Sequence, residues 1–278
     1  MLDPEHTLVM IKGGGDLASG VAVRLHRCGF PVVMTELPNP LMVRRSVSFG
    51  EAVFTGTTEV EGITACRAMD INQAQSMMTA GKIPVIIDPR AICLACFKPP
   101  VLIDAIIAKH NTGTQITDAP LVIALGPGFT AGIDCHVVIE TNRGYDLGRP
   151  IYVGSAEPDT GQPGEIAGKS NERLLRAPTS GIVENLVEIG YQVCQGQLVA
   201  RVNGCDVHAG TSGIVRGLIR SGSWVNAGLK IGDIDPRAQL SHCYLTSDKS
   251  LAIAGGVLEA ILAERVTQKV GRFHFQAV

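Results

Sequence analysis

A glycine-rich turn near the start of the chain carries the residues best suited to binding a ligand. Gly13, Gly15 and Ala18 fit the G-x-G-x-x-G/A pattern of dinucleotide-binding turns. Glu36 ends the next predicted strand about 20 residues later, where an acidic residue binds a ribose hydroxyl. Asp16 argues against this simple interpretation, because a carboxylate at a helix N-terminus can cap the helix and repels pyrophosphate. The turn is predicted either to bind a nucleotide or another phosphorylated ligand, or to be purely structural.

Basic and amide side chains follow other predicted strands at the same edge. Lys12 directly precedes the glycines, and the adjacent Arg44 and Arg45 can fork onto phosphate or carboxylate groups. Lys109 and Asn111 follow a later strand, at the edge where open α/β sheets bind ligands. The alternatives are a solvated arginine pair and an ordinary helix end capped by asparagine and glycine.

Two further motifs carry less functional information. Gly126 and Gly128 follow another strand and can permit the close approach of a ligand. Cys93 and Cys96 form a C-x-x-C motif, for which redox or metal chemistry competes with two small buried or half-buried cysteines. No second C-x-x-C completes a ligand set, so no metal site is predicted. The catalytic residues stay unassigned, and whether the chain is an enzyme stays open. The predicted binding residues are Lys12, Gly13, Gly14, Gly15, Asp16, Glu36, Arg44, Arg45, Lys109, Asn111, Gly126 and Gly128.

The elements that must position these residues alternate between strands and helices. An apolar run at 8–11, the glycine turn, a helical pattern from residue 16 and a second apolar run at 32–34 form a βαβ pattern. Further strands are predicted at 83–87, 101–103, 121–125 and 137–140. Their continuous apolar character is typical of parallel strands buried on both faces. We therefore predict a Rossmann-like, doubly wound parallel sheet.

An internal repeat follows this part of the chain. Residues 177–202 align without gaps to 209–234, and both copies contain the block Thr-Ser-Gly-Ile-Val. Glycines at matching positions predict short strands and tight turns that close a core only as a pair. This resembles the barrel-sandwich hybrid of biotinyl and lipoyl carrier domains, but the hairpin at 201–206 lacks the carrier lysine. The repeat therefore predicts a small all-β domain without swinging-arm chemistry.

Composition sets the remaining expectations. The net charge of −2 argues against nucleic-acid binding. The sequence shows no basic leader and no membrane span, so we predict a cytoplasmic protein whose cysteines are reduced. The predicted organisation is a Rossmann-like nucleotide- or anion-binding domain at 1–145 and the barrel-sandwich hybrid domain at 146–240. A C-terminal helix at 241–278 is expected to pack on the first domain. Homo-oligomer formation through the repeat domain stays open.

Several segments together resemble the accessory family of the selenium-dependent molybdenum hydroxylase system. The segments are 11–20, 35–36, 44–45, 108–114, 125–129 and 139–144. The resemblance implies a maturation factor that acts beside a molybdenum hydroxylase apoenzyme. It implies a molybdopterin or nucleotide-type phosphorylated ligand at the carboxyl edge of the sheet.

Two other functions remain open at this point. One is an NAD(P)-dependent oxidoreductase that uses Gly13, Gly15 and Glu36, although no convincing proton donor is evident. The other is a noncatalytic scaffold that docks the hydroxylase.

Overall fold

The computed structural model describes residues 3–159, 161 and 164–270, with side chains up to residue 264 in the last segment. Its first part contains eleven strands, of which nine form one sheet. The strands are β1 (Val9–Lys12), β2 (Val32–Glu36), β3 (Thr57–Val60), β4 (Ile63–Ala68), β5 (Ile83–Ile87), β6 (Val101–Asp104), β7 (Leu121–Leu125), β8 (Thr130–Ala131), β9 (Val137–Ile139), β10 (Pro150–Ile151) and β11 (Gly154–Ser155). The order across the large sheet is β10-β9-β7-β6-β1-β2-β5-β4-β3, and β8 pairs with β11. This order places β1 at the centre, so its carboxyl end lies deep within the molecule.

The predicted fold class is wrong, because the sheet is mixed and is not doubly wound throughout. Strands β3 and β10 pair antiparallel with their neighbours at the two edges. Two consecutive residues with positive φ, Glu61 (50°) and Gly62 (82°), form the tight turn between β3 and β4. The connections from β6 to β7 and from β7 to β9 contain no α-helix. The antiparallel β3–β4 hairpin needs only a short turn, whereas loops without an α-helix connect the parallel pairs β6–β7 and β7–β9.

Within the described residues, five α-helices cover the sheet unevenly. They are α1 (Asp16–Arg27), α2 (Ala52–Thr55), α3 (Ile71–Thr79), α4 (Leu94–Phe97) and α5 (Asp248–Val270). The apolar side chains of α1 and α5 pack together on one face, with Val21, Leu25 and Val257 fully buried. A second apolar cluster on the other face joins β1 and β7 to α3. Burial on both faces explains why the central strands are continuously apolar.

The later part of the chain forms two four-stranded antiparallel sheets in place of the predicted barrel-sandwich hybrid. Their strands are β12 (Leu174–Arg176), β13 (Gly181–Asn185), β14 (Gln192–Val193), β15 (Leu198–Val202), β16 (Cys205–His208), β17 (Gly213–Leu218), β18 (Trp224–Val225) and β19 (Lys230–Asp235). The orders are β12-β19-β17-β14 and β16-β15-β13-β18. Each repeat copy therefore lends its short middle strand, β14 or β18, to the sheet of the other copy.

Several contacts fix these β sheets against the first part of the chain. The Arg45 Nε donates to the carbonyl oxygen of Leu218 (3.0 Å), and Ser46 Oγ donates to that of Cys243 (2.6 Å). Helix α5 begins just after this contact and returns to α1. Residues 271–278 of the predicted C-terminal segment lie outside the described residues. Among the helices that the structure describes, none is both long and apolar enough to span a bilayer.

Candidate binding cleft

A cleft of about 770 Å³ opens at the carboxyl ends of the central strands. The glycine turn forms its floor, and strands β17 and β19 supply charged side chains to one wall. A volume of this size is typical of small-molecule sites. Charged side chains lining the cleft are Lys12, Asp16, Glu36, Arg44, Asp88, Arg216 and Lys230; apolar ones include Leu17, Leu37, Leu41, Met42, Val43, Ile106 and Ile107.

The three glycines of the turn have different structural roles. Gly13 has a φ of +97°, a conformation that side chains rarely adopt. A Cβ on Gly14 would lie 2.8 Å from the Cα and N atoms of Gly50, so the close passage of that segment requires glycine. Gly15 has φ −68° and ψ 179°, and a Cβ there would meet nothing within 4 Å. Neither the backbone nor packing demands a glycine at position 15, which leaves open space beside the start of α1.

Glu36 is directed toward the protein and stabilises the glycine turn. Its Oε2 accepts a hydrogen bond from the Gly14 amide (2.6 Å), and its Oε1 accepts one from the Leu37 amide (2.7 Å). Burial raises the pKa of this carboxyl despite these two bonds. The Gly14 amide, which a bound pyrophosphate would need, is thus already paired with a carboxylate.

Lys12 is held by a buried polar chain. Its Nζ donates to Thr114 Oγ1 (2.5 Å) and lies 3.3 Å from Asp104 Oδ2, and Thr114 Oγ1 itself donates to that oxygen (2.6 Å). Asn111 fixes Thr114 by accepting from its amide and donating to its carbonyl oxygen, both at 2.8 Å. The Lys12 charge is therefore compensated within the protein, although the side chain lines the cleft.

The two adjacent arginines have separate roles. Arg44 lines the cleft, is 7% exposed, and donates through Nη2 to the carbonyl oxygens of His242 (2.9 Å) and Leu245 (3.0 Å). Its Nε and Nη1 are buried and have no hydrogen-bond acceptor among the described residues. Arg45 instead pairs with Glu188 (2.6 Å) and with the β17 backbone, away from the cleft.

Arg44 also has no close counterion among the residues that the structure describes. The nearest carboxylate oxygen with which it pairs is Asp16 Oδ2, 3.8 Å from Nη1. This distance is beyond hydrogen-bonding range. Burial is the largest influence on the Arg44 pKa and lowers it, as expected when a cation loses water without a close partner.

Two cations that sequence reasoning missed, Arg216 and Lys230, also line the cleft. Arg216 donates through Nε to the buried carboxylate of Asp233 (2.7 Å), which also accepts from Arg173 (2.8 Å). Lys230 lies 3.8 Å from the same carboxylate, and burial lowers the pKa of its ammonium. The predicted cluster around Lys12, Asp16, Glu36 and Arg44 thus faces further positive charge from the second repeat copy.

The remaining predicted residues lie outside the cleft. Lys109 pairs with Asp159 (2.5 Å), and Asn111 bonds to Thr114, to the Gly113 amide (2.8 Å) and to Asp134 (3.3 Å). Gly126 and Gly128 have positive φ, and a Cβ on either would lie 2.6 Å from Thr141 Oγ1 or His110 Cα respectively. These glycines are therefore explained by close packing within the protein.

The two C-x-x-C cysteines differ in their exposure. Cys93 is buried, and burial, aided by Asp88, raises the pKa of its thiol to about 12. Cys96 is exposed. Among the residues that the structure describes, no group of histidine, cysteine or acidic side chains is arranged to hold a metal ion.

Comparison with known proteins gives one strong match in sequence. No family model matches the chain. The chain is 48% identical over 257 residues to "Uncharacterized protein YqeB" of Escherichia coli K12, a match that covers 92% of this chain and 48% of that protein. The chain thus spans about half the length of the curated relative it matches.

Solved structures give only distant matches. The ectoine utilization protein EutE (DoeB) from Ruegeria pomeroyi, in a product-bound structure, is 12% identical with a TM-score of 0.26 and covers 82% of this chain and 85% of its own. An aspartoacylase family protein from Mesorhizobium loti is 16% identical with a TM-score of 0.29, covering 84% and 86%. TcdA (CsdL) is 13% identical with a TM-score of 0.30, covering 95% and 89%. Likeness this low assigns no activity to the chain.

These findings correct the functional predictions. The assignment to the accessory family of selenium-dependent molybdenum hydroxylases is wrong: no family model matches the chain, and the name of the 48% identical relative gives no such role. The hydroxylase partner, the selenium and molybdopterin roles and the scaffold function are wrong with it. The NAD(P) oxidoreductase prediction is also wrong, and the pairing of Glu36 with the Gly14 amide gives a physical reason.

Proposed function

We propose that the chain binds a small molecule through an oxyanion group, such as a carboxylate, at the start of α1. The observation that carries this proposal is the guanidinium of Arg44. It lines the cleft, it is almost fully buried, and two of its nitrogens have no acceptor among the described residues. Unpaired buried cations are costly, so a bound anion would stabilise this arrangement.

The start of α1 supports an anion at the same place. Helix α1 has twelve residues, and its first amides lack intrahelical acceptors and carry partial positive charge. Gly15, Asp16 and Leu17 all line the cleft. The space beside Gly15 allows a ligand to approach these amides without meeting a side chain.

The other walls define the rest of the ligand. Lys230 and Arg216 add positive charge, whereas Leu41, Ile106 and Ile107 offer apolar surface. Such a lining suits a small organic acid with a partly apolar body. A bare inorganic ion would leave much of the cleft volume unused.

The proposal is tested by titrating acetate, succinate and inorganic phosphate into the ¹⁵N-labelled full chain. We expect saturable shifts of the amide signals of Gly15 and Leu17, with a carboxylate bound at least as tightly as phosphate. Arg44→Gln should weaken binding about tenfold or more, because a hydrogen bond to a charged group contributes ~1.5–3 kcal/mol and 1.4 kcal/mol is tenfold. Arg45→Gln is the matched control and should bind as the wild type does.

A second variant covers the case in which Arg44→Gln does not fold. Gly15→Val leaves Arg44 in place and fills the space beside the helix start, so it should weaken binding as well. The absence of a saturable shift with every acid would overturn the proposal. Equal affinity in the wild type and in either cleft variant would do the same.

A further inference from the structure

The side chain of Asp16 is the least explained group in the cleft. It stands in the first turn of α1, is 35% exposed and lines the cleft. Its carboxylate accepts no side-chain or backbone hydrogen bond from the described residues. Its ion-pair partner is Arg44 at 3.8 Å, and the positive charges of Lys230 and Lys249 also interact with it. An acidic residue here interacts well with the helix dipole, but it also repels an oxyanion placed beside the same amides.

Asp16 and Arg44 each have hydrogen-bonding groups that the other could satisfy but does not. Arg44 has donors without acceptors, and Asp16 has acceptor oxygens without donors, yet the two groups stand too far apart for a hydrogen bond. A ligand that offers an acceptor and a charged donor on neighbouring atoms would satisfy both groups at once.

We infer that the ligand carries an α-amino carboxylate group, an inference that rests on the oxyanion site proposed above. The carboxylate lies against Arg44 and the first amides of α1, and the ammonium donates to Asp16. In an α-amino acid these two groups are attached to one carbon, which suits an arginine and a carboxylate 3.8 Å apart. Asp16 then selects for an amino acid over a simple acid.

Two further cations that line the cleft define the side chain of this amino acid. Lys230 stands 3.8 Å from Asp233 and burial lowers the pKa of its ammonium, so it gains from an additional anionic partner. Arg216 lies beside it in the cleft wall. An acidic side chain therefore fits better than a basic one, and the 770 Å³ cleft accommodates a molecule longer than a free amino acid.

The test compares three related probes on the full chain by isothermal titration calorimetry and by the same amide shifts. L-Glutamate has all three charged groups, glutarate lacks the ammonium, and 4-aminobutanoate lacks the α-carboxylate. We expect L-glutamate to bind at least about tenfold more tightly than glutarate, the change produced by one charge-assisted hydrogen bond. 4-Aminobutanoate should bind more weakly than L-glutamate by a similar factor.

Asp16→Asn supplies the decisive comparison. This variant keeps the shape of the side chain and removes its charge, so the preference for L-glutamate over glutarate should fall below about threefold, with glutarate bound as tightly as before or more tightly. Asp70→Asn is the matched control, because Asp70 also stands at a helix N-terminus and caps α3 outside the cleft. It should keep the wild-type preference.

The outcomes separate this inference from the site on which it rests. If glutarate binds the wild type as well as L-glutamate does, and Arg44→Gln weakens both, the amino-acid inference is overturned and the oxyanion site stands. A preference that survives Asp16→Asn also overturns the inference. If no probe binds the wild type, both fail.

Discussion

A single methyl group added to the glycine turn should have very different effects at two neighbouring positions. In Gly14→Ala the new Cβ would lie 2.8 Å from the Cα and N atoms of Gly50 and 3.1 Å from Glu36 Oε2. The turn cannot move away easily, since Gly14 donates to Glu36 and accepts from the Gly50 amide (2.9 Å). Overpacking of ~1–3 kcal/mol, with about 1 kcal/mol for a weakened hydrogen bond, gives a loss of roughly 2–4 kcal/mol in unfolding free energy.

Gly15→Ala is the matched control for this prediction. The new Cβ meets no atom within 4 Å, and the backbone at φ −68° suits alanine. Loss of a glycine N-cap costs a few tenths of a kcal/mol or somewhat more, and the reduced entropy of the unfolded chain offsets ~0.4–1 kcal/mol. The net change in unfolding free energy should be within about 0.5 kcal/mol.

Urea unfolding followed by circular dichroism measures both changes by linear extrapolation. Equal destabilisation of Gly14→Ala and Gly15→Ala would refute the argument that the fold requires glycine only at the first of these positions. So would a Gly14→Ala protein as stable as the wild type. A folded Gly15→Ala protein also allows the oxyanion titration to be repeated with a crowded helix start.

Two further predictions concern side chains outside the cleft. The pKa of the Cys93 thiol is raised to about 12, so this thiol should resist iodoacetamide in the folded chain at pH 8, whereas the exposed Cys96 should react. Tandem mass spectrometry distinguishes the two labelled cysteines. Equal labelling of both would contradict the prediction. Hydrogen bonds from Arg143 lower the pKa of Asp248 from 3.8 to about 2, so its stabilising effect is present above pH 3.8 and is lost as the pH falls through 2. In Arg143→Gln, an NMR titration should show the midpoint of Asp248 returning toward 3.8, and an unchanged midpoint would argue against this cause.

The central βαβ unit could be predicted because several sequence patterns within one short segment indicate the same structure. The apolar strands, the glycine turn and the helical periodicity all appear in about 30 consecutive residues, and the structure contains β1, α1 and β2 there. The sheet edges could not be predicted in the same way. The hairpin of β3 and β4 rests on Glu61 and Gly62, and a Glu-Gly turn is a weaker signal than Asn-Gly.

The cleft was only partly predictable because its two walls come from distant parts of the chain. Lys12, Asp16 and Arg44 follow strands of one sheet, so the shared carboxyl edge brings them together. Arg216 and Lys230 belong to the second repeat copy, where the first copy has Glu184 and Leu198 at matching positions. That difference in charge between the copies is the signal that sequence reasoning overlooked. The adjacency of Arg44 and Arg45 in sequence also suggested wrongly that both contact one ligand. The side chains point in different directions because a 3₁₀ turn starts at these residues.

The carboxylates around the glycine turn decide what kind of ligand this edge of the sheet can take. A dinucleotide site leaves its turn amides free for pyrophosphate, but here Glu36 accepts from the Gly14 amide and Asp16 stands at the helix start. Arg44, Arg216 and Lys230 then offset that negative charge in the cleft. A multiply charged phosphate would meet both carboxylates, whereas a molecule with separated positive and negative groups can pair with each wall. The arrangement of charge therefore favours a zwitterionic ligand over a nucleotide, and the Asp16→Asn comparison measures how much the ammonium of such a ligand contributes to binding.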